Sequence, residues 1–268
     1  MIQDISIFKL TLGLLILLIP IVLLLYFRIR ILKNMLIAVS RMILQLSLVA
    51  VYLEWIFKLN NLWINILWVF VMICVGVFTT IRRVRLNWKL FIIPLFIAAL
   101  TSVLIIDTFF LGAILQLDYC FDAQYFIPIT GMILGNSLNH NIIGLTTYFR
   151  ELNDKNELYT FLLINTNNHK SSLYPFIKES VMQGLNPLIA SMSVIGLISL
   201  PGMMTGQILG GNSPSMAIKY QIMMMIAIFA GCTINLLLSI VLANRFVFDK
   251  FGRLQTIITK KSKSNDLS

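Results

Sequence analysis

The chain has 268 residues, of which 58% are hydrophobic and only 12% charged. Soluble domains carry about 45–50% apolar and about 25% charged residues, so there is too little polar surface here to cover a water-soluble globule. A formal charge of +10 would raise nucleic acid as a partner in a soluble protein, but these basic residues sit between apolar runs of membrane-crossing length, so they report topology and no nucleic-acid partner is expected.

The first apolar run, residues 5–27, is long for a signal-peptide core, is followed by its basic residues and lacks a small-residue cleavage pattern. A retained first span in contact with membrane lipid is expected. The second run, 35–57, contains Arg41, Gln45 and Glu54. Arg41 and Gln45 are one helical turn apart and share a face. At 1.5 Å per residue, Arg41 stands about 9 Å inside the run. It either snorkels to the interface or faces the bundle interior beside a translocation path. Runs 62–81 and 88–110 follow, with Asp107 near the outer end of the latter, placed to gather cations.

The fifth run, 125–147, is unusually polar. In its stretch ITGMILGNSLNHN, Gly131, Gly135 and Asn139 share one helical face, and Asn136 and His140 share the next. Amides facing lipid are costly, so this side should meet protein or water, either as a wall of the pathway or as interhelical hydrogen bonds. His140 has no Cys, Asp or Glu in ligand spacing, so no metal ligand set can be assigned.

The longest connection, 148–185, reads as two short amphipathic helices with a turn between them. It is either a solvated linker or a docking segment, with Arg150, Glu151, Glu157, Lys178 and Glu179 as candidate contacts. The sixth run, 186–209, ends in LPGMMTGQILGGNSP. Here Gly202, Gly206 and Gly210 recur every four residues, which lets another backbone approach closely. Gly210, Gly211 and the flanking prolines favour bends. Met203, Met204, Thr205 and Gln207 either line a translocation path or pack, and thioether sulfur with amide oxygen could contact a metal or its chelate. The seventh run, 215–244, is long enough to begin as a broken or tilted segment. Cys74, Cys120 and Cys232 form no CxxC pair and indicate no redox compartment.

Seventeen of the 21 Lys and Arg fall after the first, third, fifth and seventh runs, counting the tail residues Arg245, Lys250, Arg253, Lys260, Lys261 and Lys263. The opposite connections hold Lys58, Asp118 and Asp122. The expected fold is therefore an all-α, polytopic membrane bundle of about seven transmembrane helices, with the N-terminus outside and the C-terminus cytoplasmic. Residues 1–268 would form one domain in the cell or plasma membrane. No Gly-Lys dipeptide occurs, so no phosphate loop exists and any ATP hydrolysis belongs to another chain.

The stretch 200–221, LPGMMTGQILGGNSPSMAIKYQ, closely resembles the signature of the FetB-type permeases, bacterial iron-export permeases of ABC type with related plant aluminium-tolerance proteins. ITGMILGNSLN at 129–139 is similar to a second family block, and RMILQL at 41–46 resembles a third. The resemblance implies a non-enzymatic permease exporting iron or another metal, free or complexed. It also implies a cytoplasmic ATPase partner of the FetA type that binds ATP and Mg, a permease homodimer, and ATPase contact through loop 148–185. The chain departs from the family in that loop, where LLINTNN at 162–168 replaces a glycine-containing turn. Asparagine tolerates left-handed backbone, so a turn can still form there. Two other readings remain open: an ion-coupled secondary transporter, which would need embedded ionisable residues, and a membrane protein that only recruits a cytoplasmic partner.

Overall fold

A computed structural model describes residues 6–117, 119–249 and 254, the side chain of Ile7 excepted. Asp118 and the tail cations Lys250, Arg253, Lys260, Lys261 and Lys263 lie outside the described residues. The described chain is helical throughout, apart from isolated bridges such as that between Ile195 and Ser199.

The first run forms α1 (Ile7–Leu14) and α2 (Leu18–Tyr26), joined by a tighter turn at Leu15–Leu17. There follow α3 (Leu32–Leu59), α4 (Leu62–Val84) and α5 (Trp88–Asp107), the last continuing as a π-helical segment, Thr108–Ile114. Next come α6 (Ala123–Asp154), α7 (Asn156–Thr166), α8 (His169–Val194), α9 (Gly202–Leu209) and α10 (Pro214–Val247). Five stretches among the described residues are long and apolar enough to cross a membrane: Phe8–Tyr26, Leu32–Leu59, Leu62–Val84, Trp88–Ile114 and Pro214–Val247. The fifth and sixth expected runs are helical too, but their polar residues keep α6 and α8 out of that set.

Local chemistry sets the ends. Asn61, Asn87 and Asp122 accept bonds from the first-turn amides of α4, α5 and α6. Asn60 and Arg85 close α3 and α4 in left-handed conformation. The glycine-free turn forms as its asparagines permit: Asn167 is left-handed at φ 46°, and Asn168 caps α8 through bonds to the amides of Lys170 and Ser171.

Two expected boundaries are corrected. The second amphipathic helix and the start of the sixth run are one helix, since α8 continues through Pro175 and Pro187. The run breaks instead at residues 195–201, where Gly196 takes φ 87° and its amide bonds to the Ser199 carbonyl. The seventh run does not begin broken: Ser213 caps it, Pro214 occupies its first turn, and α10 is continuous.

The core is built by α4, α5, α6, α8 and α10. α10 packs along α5 and α6, with Leu236 filling the notch made by Gly144 of α6 and Gly184 of α8. α3 joins only through its second half, where Ile56 meets Ala123 and Ile127, and Tyr52 packs on Trp68 at 4.2 Å. At one end Phe91 packs on Phe149 at 5.6 Å and the Tyr148 hydroxyl bonds to Asn244. This end collects Arg82, Arg83, Lys89, Arg150, Lys155 and Arg245. At the other, the Asn60 side-chain oxygen accepts from the Ala123 amide at 2.9 Å, and Asn65 donates to the Phe121 carbonyl at 2.9 Å.

Candidate functional site

A polar seam runs through the apolar bundle along the inner face of α6. Thr130, Ser137, His140 and Asn141 are all buried there. The Thr130 hydroxyl pairs with the Asp107 carboxylate, joining α6 to α5 at the start of the π segment. The other carboxylate oxygen, on a residue only 5% exposed, has no protein partner. Asp107 lies toward the end opposite the basic residues, but its carboxylate is buried between α5 and α6 and is not open to gather cations from solvent.

Further along, Ser137 lies 3.7 Å from the Cys232 sulfur and Asn141 lies 3.5 Å from the Ser239 hydroxyl, which in turn donates to Asn235 at 3.3 Å. A cavity of about 20 Å³ touches both Asn141 and Asn235, and the Asn141 carbonyl oxygen has no protein partner. That space is large enough for one water molecule, and Asn141 and Asn235 offer polar groups to it. His140 sits 2.8 Å from the Gly184 carbonyl through Nδ1. A carbonyl only accepts, so Nδ1 carries the hydrogen.

The expected α6 residues divide. His140 belongs to the buried seam. Asn136 bonds back to the Met132 carbonyl of its own helix at 2.8 Å. Gly135 and Asn139 face outward, with nothing within 4 Å of the position a Cβ would take on Gly135; Gly131 meets the Met72 side chain. Thr130, Ser137, Asn141, Asn235 and Ser239 are seam members that sequence reasoning did not single out. The spacing of Asn235 and Ser239, four apart in an apolar run, carried that signal.

The α9 motif lies at the opposite end from the basic residues. Met204 and the buried Gln221 line a 440 Å³ cavity with Met192 and Met225, beside the break between α8 and α9. The side-chain oxygens of Gln207 and Gln221 are buried without partners. Met203 packs against the main core, and Thr205 bonds to the carbonyl of Gly202 at 2.9 Å. Gly202 and Gly206 are open, Gly211 takes φ 98°, and Gly210 approaches the carbonyls of its own helix. Among the described residues, no three His, Cys, Asp or Glu side chains cluster as a metal site.

Arg41 and Gln45 stand apart from both groups. They line a separate 1120 Å³ cleft between α3 and α4, together with Arg82 and Arg83. At the basic end, α7 exposes Leu158, Phe161 and Ile164, the last two at 62% and 75% of their surface. Of the candidate docking residues, Glu151 pairs with Lys155 and Glu179 accepts from Gln183 at 2.9 Å, while Arg150, Glu157 and Lys178 are exposed. Tyr159 turns inward, meeting His169 at 2.9 Å and Phe248 at a ring distance of 5.3 Å.

A bundle of apolar helices enclosing a polar seam defines an integral membrane protein. The chain belongs to the uncharacterised protein family UPF0014, whose model matches residues 7–248. It is 34% identical over 230 residues to Protein ALUMINUM SENSITIVE 3 of Arabidopsis thaliana, covering 83% of this chain and 80% of that one. It is 30% identical to the membrane protein STAR2 of Oryza sativa subsp. japonica, over 77% of this chain and 71% of that one. Against the probable iron export permease protein FetB of Escherichia coli strain K12 it is 27% identical over 236 residues, covering 86% and 87%. No solved structure matches.

Proposed function

We propose that this chain is the membrane-spanning subunit of an ABC-type exporter whose cargo is iron or another metal, free or complexed. The observation that carries the reading is the apolar stripe of α7. It lies at the basic end, which the positive-inside rule assigns to the cell interior of a plasma membrane. Phe161 and Ile164 stand on an exposed face of a segment too short and polar to cross a bilayer, and a partner protein is the economical cover for it. The name of the E. coli relative supports the cargo class. ATP and Mg would be held by the partner ATPase, and this chain would be the transport subunit and not an enzyme.

In this reading the single domain crosses the membrane seven times. α6 and the pair α8 and α9 supply the two crossings that composition alone does not select, and the N-terminus lies outside. The broken α8–α9 passage and the π segment beside Asp107 are the elements that rearrange between inward- and outward-open states. The open face of α9 at Gly202 and Gly206 is the contact for a second permease subunit.

The test is ATP-driven iron flux in vesicles holding this chain and its copurified ATPase. Flux with ATP and none with a non-hydrolysable analogue is expected; iron movement without the ATPase would sink the proposal. A second reading, an ion-coupled carrier acting alone, is favoured by the buried Asp107 carboxylate with its unpartnered oxygen. It predicts flux driven by an ion gradient in vesicles lacking any ATPase.

A further inference from the structure

The cleft between α3 and α4 has a chemistry unlike the seam. Its mouth carries Arg82 and Arg83 from the last turn of α4, with Arg41 further in from α3. At 1.5 Å per residue, Arg41 lies about 14 Å along α3 from its start. No Asp or Glu lines the cleft, and none of the three arginines makes an ion pair among the described residues. Below the arginines the walls are Leu46, Val75 and Phe78. The shape is a wedge, because α3 is held at its other end by Tyr52 and Ile56 and stands away from α4 toward the basic end.

A free metal cation is repelled from such a cleft. A second copy of this chain does not neutralise it either. Among the described residues, the carboxylates on its apolar spans, Glu54 and Asp107, lie toward the opposite end, and those at the basic end belong to the last turns of α6, to α7 and α8, and to Asp249. The ligand that matches a basic mouth over apolar walls is amphiphilic and anionic. We propose that this cleft is a binding site for an anionic phospholipid, its phosphate on Arg82, Arg83 and Arg41 and its chains against Leu46, Val75 and Phe78. Basic pockets between spanning helices bind such headgroups by direct charge pairing. Gln45, on the Arg41 face, adds an amide donor, and the seated lipid fills the gap that leaves α3 unpacked.

The experiment is native mass spectrometry of the full chain in detergent micelles doped with phosphatidylglycerol or phosphatidylcholine, with thermal unfolding measured in parallel. The wild type is expected to retain phosphatidylglycerol at least tenfold better than phosphatidylcholine and to melt higher with it. Arg82→Gln/Arg83→Gln removes both effects, while Arg82→Lys/Arg83→Lys keeps most of the retention. Leu46→Trp, which fills the cleft and leaves every arginine in place, also expels the lipid. Equal retention of the two lipids, retention unchanged in the glutamine variant, or displacement by millimolar inorganic phosphate without loss of the melting shift would each overturn the assignment. The last of these would mark the site as one for a free anion. Both arginines are exposed, so the variants are expected to fold, and wild-type melting of the glutamine variant in phosphatidylcholine checks that.

Discussion

Nδ1 of His140 donates to the carbonyl of Gly184 at 2.8 Å, a bond between α6 and α8 in the middle of the bundle. In an apolar interior that carbonyl has no water to turn to. Replacing His140 with Leu removes this interhelical bond, at a net cost of about 0.5–1.5 kcal/mol. Thermal unfolding in detergent is expected to show the loss, and His140→Asn, which keeps a donor nearby, is expected to lose less. Equal melting of wild type and His140→Leu would remove the bond from the account.

The same crossing depends on two glycines that respond differently to repair. A Cβ on Gly144 would stand 2.5 Å from Cδ1 of Leu236. Gly144→Ala is therefore expected to destabilise by about 1–3 kcal/mol, the usual cost of overpacking. The obstacle is the tip of one side chain, so Leu236→Val in the same chain restores part of the stability. A Cβ on Gly184 would meet backbone as well, at 3.2 Å from the His140 carbonyl oxygen and 3.3 Å from the Gly144 Cα. Gly184→Ala should remain destabilised in the Leu236→Val background, and melting of the four variants reads the difference.

Much of this arrangement was legible in the residues. The apolar runs marked the helices, and the basic residues marked the end at which Arg82, Arg150 and Arg245 gather. What the residues did not reveal is which polar groups face inward. Gly135 and Asn139 share a face with Gly131, yet that face is largely open, while Ser137, Asn141 and Thr130 turn inside. Rotation of a polar helix is fixed by its neighbours, here the notch that receives Leu236, and not by its own periodicity. The burial of Asp107 was hidden for a related reason, since its contact with Thr130 depends on how α6 is turned. The union of the loop helix with the sixth run was hidden by Pro175 and Pro187, which α8 tolerates.

Gly206 tests the second subunit. Nothing in the chain lies within 4 Å of its would-be Cβ. Gly206→Leu should leave the melting temperature of the monomer unchanged or slightly higher, since glycine is a poor helix former by about 1 kcal/mol. Cross-linking and light scattering are expected to show weakened self-association. Undiminished association would move the subunit contact elsewhere.

The α7–α8 hairpin carries a pH dependence. Burial holds the His169 imidazole below its ordinary value of 6.5. Its folded value is lowered, so the stabilisation is fully present above about 6.5 and is lost as pH falls through the lowered value, where the packed ring must take a proton. Hydrogen-exchange protection of residues 156–172, taken relative to the intrinsic rate at each pH, is expected to be high at pH 7.5 and lower near pH 5. His169→Gln should flatten the profile. Unchanged protection across that interval would show that the ring does not control the hairpin.

Docking of a separate ATPase on α7 is tested by copurification with the Phe161→Ser/Ile164→Ser variant. Both side chains are exposed, so the double variant should fold and melt like the wild type. ATPase recovered with the membrane protein is expected to fall at least tenfold, with ATP-driven flux falling alongside it. Full recovery of the ATPase with the double variant would contradict it.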